Sequence, residues 1–149
     1  MKKTDIIKIL RSSASVFTFK DIFLASEEKN QLSLQQRLHY YVQTGELYSI
    51  RRGFYAKDKN YNKREFSTKL YTPSYVSFET ILAEAGMIFQ FYSTIFVASY
   101  QSKELECDGQ GYWFKKLKDE ILVNSAGVEN RGNYYAATKE RAFLDTLYL

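Results

Sequence analysis

Residues Gln31 to Lys57 read QLSLQQRLHYYVQTGELYSIRRGFYAK, and this stretch decides how the chain begins to fold. Leu34, Leu38, Tyr41 and Val42 fall at i, i+4, i+7 and i+8, one stripe of a helical repeat. At about 100° per residue, Gln35, Gln36, His39, Tyr40 and Gln43 point away from that stripe. Ser33 is placed to cap the helix start by accepting a backbone N–H, and Gly45 to end the helix at positive φ. The period then changes. Leu47, Ile50, Phe54 and Tyr55 lie on either side of Arg51-Arg52-Gly53, which predicts two short strands joined by a basic glycine turn.

A helix, a glycine stop and a tight basic hairpin form the pattern of a winged helix. An amide-rich outer face suits the DNA major groove, because Gln pairs bidentately with adenine and Arg or His with guanine acceptors. Hairpin arginines suit phosphates or a minor groove. A solvated helix and an ordinary hairpin tip present the same residue types, so the rest of the chain must weigh in.

Upstream, residues 4–12 predict a helix capped by Thr4, with Asp5 in its first turn and Ile6, Ile9 and Leu10 on one side. Val16 and Phe17 suit a short strand. Thr18 then caps a second helix with Phe19, Ile22 and Phe23 at i, i+3 and i+4. The EEKNQ linker supplies the turn of a helix-turn-helix and places Lys29 and Asn30 at the groove edge.

A chain of 149 residues holds one ordinary domain or two small ones, and 45% hydrophobic with 26% charged residues describes a chain that folds. No window approaches the roughly 18 apolar residues that span a bilayer, and the N-terminus lacks a signal-peptide core. A cytoplasmic protein with no membrane partner is expected. The single cysteine, Cys107, cannot form an internal disulfide, and with one histidine, His39, a zinc centre or His triad has little to work with. The net charge of +4 is unevenly spread. Residues 1–64 carry 13 Lys/Arg against 6 Asp/Glu, +7, and residues 65–149 carry 8 against 11, −3. The basic half contains the helix and hairpin, which favours nucleic acid, since counterion release from phosphates drives such binding.

The polar run KDKNYNKR at 57–64 marks a boundary, giving domains 1–60 and 61–149. In the second, residues 65–70 predict a helical turn or two, and Pro73 a stop. Ser77 is expected to cap a helix from Phe78 to Ala85 that Gly86 ends. Ile95 to Ser99 suit a strand, Lys103–Cys107 and Gly111–Leu117 an antiparallel pair around DGQG, and Val128 and Tyr134–Ala136 further strands. Thr138 caps a last helix containing Ala142, Phe143, Leu144, Leu147 and Tyr148. The expected class is α+β: an N-terminal winged helix-turn-helix followed by a small mixed α/β domain with an antiparallel sheet.

For catalysis the nearest candidates are Glu104, Glu106 and Asp108 with Lys115, Lys116 and Lys118, which could bind a divalent ion as metal-dependent nucleases do. The same spacing describes the acidic face of a two-sided sheet. With no GxSxG and no phosphate loop, no catalytic residue, metal ligand or cofactor is assigned, and the chain is not expected to be an enzyme.

Arg51, Arg52, Gly53, Phe54 and Tyr55, then Pro73, Ser74, Tyr75, Val76 and Ser77, then Ala137, Thr138 and Glu140 together resemble the motifs of the AbiEi-type antitoxins of bacterial abortive-infection, type IV, toxin–antitoxin systems. The likeness spans nearly the whole chain. It implies a transcriptional autorepressor that binds inverted repeats in its own promoter, with a second domain required for antitoxicity. It further implies a nucleotidyltransferase-like toxin as functional partner, countered without a stable complex. Such antitoxins usually continue with further helices past the one in which Leu149 falls, so the second domain is expected to be either cut short at its C-terminus or that of a short member, and in both cases to lack part of what full antitoxicity uses. On this reading Gln35, Gln36, His39 and Gln43 read base edges, and Ser33, Arg51, Arg52 and Lys57 hold the DNA backbone. The competing readings are a metal-dependent nuclease delivered by its N-terminal domain, and a winged-helix module whose outer face binds a protein.

Overall fold

The computed structural model describes residues 3–90 and 92–149, residues 3–6 by their backbone alone. The chain is α+β and divides into two compact units, Met1–Asn62 and Lys63–Leu149.

Unit 1 runs α1 (Lys3–Arg11), β1 (Val16–Thr18), α2 (Phe19–Ala25), α3 (Gln31–Gln43), β2 (Tyr48–Arg51) and β3 (Phe54–Ala56). Helix α1 includes Lys3, one residue before the cap expected at Thr4, and the side chains of Thr4 and Ile6, on which the capping and inward-facing expectations rest, lie outside what is described. Ile9 is buried, whereas Leu10 faces solvent rather than joining it. At α2, Thr18 Oγ1 accepts from the Asp21 N–H at 3.0 Å and the Asp21 carboxylate accepts from the Thr18 N–H at 3.1 Å, a reciprocal box that satisfies two end donors. Helix α3 is capped by Asn30, not Ser33. The Asn30 Oδ1 accepts from the N–H groups of Leu32 at 2.9 Å and Ser33 at 3.3 Å, so the helix starts earlier than the apolar stripe does. Its far end closes at Thr44, with Gly45 following at φ +83°.

Leu34, Leu38 and Tyr41 of α3 are buried with Ile9, Phe17, Ile22 and Leu47, forming one apolar core. The three strands pair antiparallel in the order β1-β3-β2. Between Ser49 and Arg51 the β2–β3 register shifts by a bulge, and the turn Arg52-Gly53 closes the hairpin with Gly53 at φ +85°, a conformation glycine adopts freely.

Unit 2 comprises α4 (Lys63–Leu70), β4 (Tyr75–Val76), α5 (Glu79–Glu84), β5 (Ile95–Ser99), β6 (Lys103–Cys107), β7 (Gln110–Lys116), α6 (Asp119–Leu122), β8 (Val128–Asn130), β9 (Tyr135–Ala137) and α7 (Lys139–Tyr148). Its six strands lie in the order β6-β7-β5-β4-β9-β8. The sheet is mixed, correcting the antiparallel expectation: β5–β7 and β4–β9 pair parallel. The hairpin puts the charged strand β6 on the outside, where an edge tolerates Lys103, Glu104 and Glu106. That leaves β7, with Tyr112 and Phe114 buried, to lie beside the fully buried β5. The β6–β7 turn is two residues, Asp108 and Gly109, both at positive φ, tighter than the four-residue turn expected from DGQG.

Ser77 does not cap α5. That place is taken by Phe78, at φ +57° and without a side-chain cap bond. Ser77 is buried, and its hydroxyl donates to Asp145 Oδ2 at 2.8 Å. Tyr75 donates to the same oxygen at 2.8 Å, and the Arg141 Nε–H to Oδ1 at 3.0 Å. Arg141 also donates to the carbonyls of Asn124 at 2.8 Å, Ile121 at 2.6 Å and Ala126, and to the Tyr75 hydroxyl at 3.1 Å. Burial and then the Asp145 carboxylate push the Tyr75 phenol above its ordinary value, keeping it a neutral donor. Helix α7 is thus turned with Arg141, Ala142 and Asp145 inward, while Phe143, Leu144, Leu147 and Tyr148 are exposed. Thr138 caps it, accepting from the Arg141 N–H at 3.3 Å.

Removing one member of a buried ion pair strands the other in the interior. Asp145→Ala is therefore expected to destabilise unit 2 by about 3–5 kcal/mol in urea denaturation, by the magnitude typical of such losses. A loss under about 1 kcal/mol, the scale of a surface pair, would mean that the network carries no such weight.

Candidate nucleic-acid interface

The division of the chain moves Lys63 and Arg64 into unit 2, where Arg64 pairs with Glu84 at 2.7 Å. Unit 1 then carries 11 Lys/Arg against 6 Asp/Glu, +5, and unit 2 carries 10 against 11, −1. The basic excess still belongs to the unit that contains α3.

Two local features hold the β2–β3 hairpin beside α3. The Phe19 N–H, at the start of α2, donates to the Gly53 carbonyl at 2.8 Å and pins the turn. Val16 and Phe17 pair with Ala56 and Tyr55, so β1 fixes the line of β3. Between α3 and the hairpin lies an open groove of about 460 Å³, lined by the polar Gln35, His39, Ser49 and Arg52 together with Phe19, Val42 and Tyr55. Donors and acceptors from the helix and a guanidinium from the turn thus share one concave surface, whose chemistry suits a polyanion that also offers base edges.

Of the site residues expected from sequence, Gln35, His39 and Arg52 meet in this groove. Gln36 and Gln43 are exposed on the outward stripe of α3, Arg51 is exposed at the end of β2, and Lys29 is exposed in the α2–α3 linker. The other three have structural partners within the unit, Asn30 while remaining exposed. The Asn30 side chain spends its oxygen on the helix cap, and Ser33 is half-buried in the first turn with its N–H given to that cap. Lys57 is half-buried, its ammonium donates to the Ser12 carbonyl, and it lines a separate hollow with Tyr48 and Lys59. Its distance in sequence from Ser12 hid this bond.

Sequence reasoning also passed over two residues of α3. Arg37 lies 3.9 Å from Glu28, an ion pair that braces the linker against the helix. Leu32 is 61% exposed, as is Tyr40, on the face opposite the buried stripe. An apolar residue on that face carries no periodic signal, which is why it went unnoticed.

In unit 2 the acidic residues of β6 do not meet Lys115, the first of the three lysines expected to work with them; Lys116 and Lys118 are exposed. Glu104 and Glu106 are exposed, and Lys115 instead lies 3.3 Å from Glu79, its ammonium 4.8 Å from the Phe96 ring centroid and 4.9 Å from that of Trp113. Among the described residues no group of three or more His, Cys, Asp and Glu is placed to hold a metal ion, and no helix is long and apolar enough to cross a membrane.

A scan against known protein families finds no match to this chain, and a search of curated proteins finds none.

Because Asn30 alone caps α3 by its side chain, Asn30→Ala is expected to cost about 1 kcal/mol of unit 1 stability, the usual worth of an N-cap, by chemical denaturation. Ser33→Ala, outside the cap, is expected to change stability by less than about 0.5 kcal/mol. The reverse order would restore Ser33 to the capping role.

Proposed function

We propose that unit 1 is a winged helix-turn-helix that binds double-stranded DNA, with α3 in the major groove and the β2–β3 hairpin as the wing, and that the chain is the autorepressor and antitoxin of a bacterial type IV toxin–antitoxin system. The observation that carries the DNA reading is the groove in which Gln35, His39 and Arg52 converge, on the unit that holds the chain's positive charge. Gln35, Gln36, His39 and Gln43 read base edges. Arg51 and Arg52 grip phosphates, and Lys29 does so from the α2–α3 linker.

Autorepression and antitoxicity rest on the motif resemblance. Two of its segments sit in one piece of unit 2: Tyr75 and Ser77 bond to Asp145 of the helix that Thr138 caps. On this reading unit 2 carries the antitoxic task against a nucleotidyltransferase-like toxin, and the protein works in the cytoplasm where its promoter is.

The test is a gel-shift titration of the full chain on the DNA upstream of its own gene, against scrambled DNA, at two salt concentrations. Specific binding to an inverted repeat is expected. Gln36→Ala is expected to cost about 1–3 kcal/mol on the specific site only. Arg52→Ala should weaken binding to both DNAs and reduce the salt slope by about 1. Absence of DNA binding at low salt would overturn the proposal and turn attention to a protein partner for the same helix face.

A further inference from the structure

The outward face of α3 holds a side chain that the DNA reading above does not use. The helix already has a complete buried face in Leu34, Leu38 and Tyr41, each 9% exposed or less. Leu32 takes no part in it and is 61% exposed. It stands one turn before Gln36 and shares its stripe, since residues four apart lie one above the other on a helix. Isolated exposed leucines are common and mean little. Leu32 differs in its placement at the end of the helix most engaged in groove reading, and in the way it is held there.

Asn30 caps α3 through the N–H of Leu32 itself, so the backbone of Leu32 is fixed at the second position of the helix. Side chains on a helix lean toward its N-terminus, so Leu32 covers the tip of α3. In helix-turn-helix docking the N-terminal residues of the recognition helix are the ones that reach base edges. The one apolar group that the major groove offers is the C5-methyl of thymine.

We infer that Leu32 reads a thymine methyl in the DNA site proposed for this chain, beside the base read by Gln36. The inference rests on the DNA-binding reading and adds a base to it. Four residues of helix span about 6 Å, and bases on one strand rise by about 3.4 Å, so the thymine lies within about two base pairs of the Gln36 contact. Gln36 pairs best with adenine, so the sequence under the start of α3 is rich in A·T pairs.

The experiment selects a duplex from a randomised DNA pool with the full chain, then replaces each thymine of that duplex by deoxyuridine, which removes the methyl and leaves pairing intact. One thymine near the Gln36 contact is expected to respond with an affinity loss of about fourfold, the worth of one buried methyl. Leu32→Ala should bind the parent duplex about that much more weakly and respond no further to deoxyuridine at that position. Leu32→Met, which keeps an apolar tip, should retain the response and guards against a folding defect in the alanine variant. Indifference of the unaltered chain to every thymine would overturn the inference while leaving DNA binding standing. So would an undiminished response in Leu32→Ala. Failure to enrich any duplex would overturn the DNA reading and this inference with it.

Discussion

The Arg141 guanidinium spends its five N–H donors inside unit 2, on one carboxylate oxygen, one phenol and three backbone carbonyls. Burying an arginine and an aspartate costs several kcal/mol per ion, and only full satisfaction of both offsets that loss. The acceptors come from β4, from α6 and the loop after it, and from α7 itself, so a single side chain fixes the mutual placement of elements far apart in sequence. The loop lies so close that a Cβ on Gly127 would come within 2.8 Å of the Arg141 Cβ, and Gly127 takes φ +76° as well. Strand β4, two residues long, has little ladder of its own; Tyr75 holds it to α7 through Asp145. Directional bonds of this kind accept one arrangement and penalise its neighbours, which apolar contact alone does less strictly.

Unit 1 solves the same problem without buried charge. Among the described residues its buried side chains are apolar, and orientation comes from single hydrogen bonds at the element ends: the Thr18–Asp21 box, the Asn30 cap, and the bond from Phe19 at the start of α2 to Gly53 in the hairpin turn. The first two act within three residues, whereas the Phe19 bond, like that of Lys57 to Ser12, joins segments far apart in sequence. The polar groups thereby released from structural duty are those on the outer face of α3 and at the hairpin turn, which is where the proposed DNA contacts lie.

This contrast explains what could be read from sequence. The stripe of α3, the stop at Gly45, the turn at Gly53, the strand at Val16 and the cap at Thr18 are local patterns with local causes, and the α+β class follows from them together with the β6–β7 hairpin and the Thr138 helix. The convergence of Gln35 and His39 with Arg52 was implied by a helix followed directly by a hairpin. Long-range chemistry was not legible. Arg141 and Asp145, four apart, look like an ordinary surface pair, and Ser77 before an apolar run looks like a cap; only folding puts them face to face. Ser33 reads as the cap from sequence because the apolar period begins at Leu34, while the first turn of α3 contains exposed residues that show no period. The parallel pairing of β5 with β7 depends on which side of β7 the edge strand takes, and no local pattern encodes that.

Lys57 carries a consequence for kinetics. Its ammonium donates to a neutral carbonyl, that of Ser12, so the bond occupies the group without cancelling its charge. The long-range field of unit 1 sums every unneutralised cation whether or not it is free to touch a ligand, and a field of that sign raises the rate at which a polyanion arrives. Arg37, set against Glu28, contributes far less to that field because an opposite charge sits beside it. On the proposed DNA-binding reading, a residue withdrawn from the contact surface thus contributes to how fast encounters happen while leaving the lifetime of the complex to the side chains of α3.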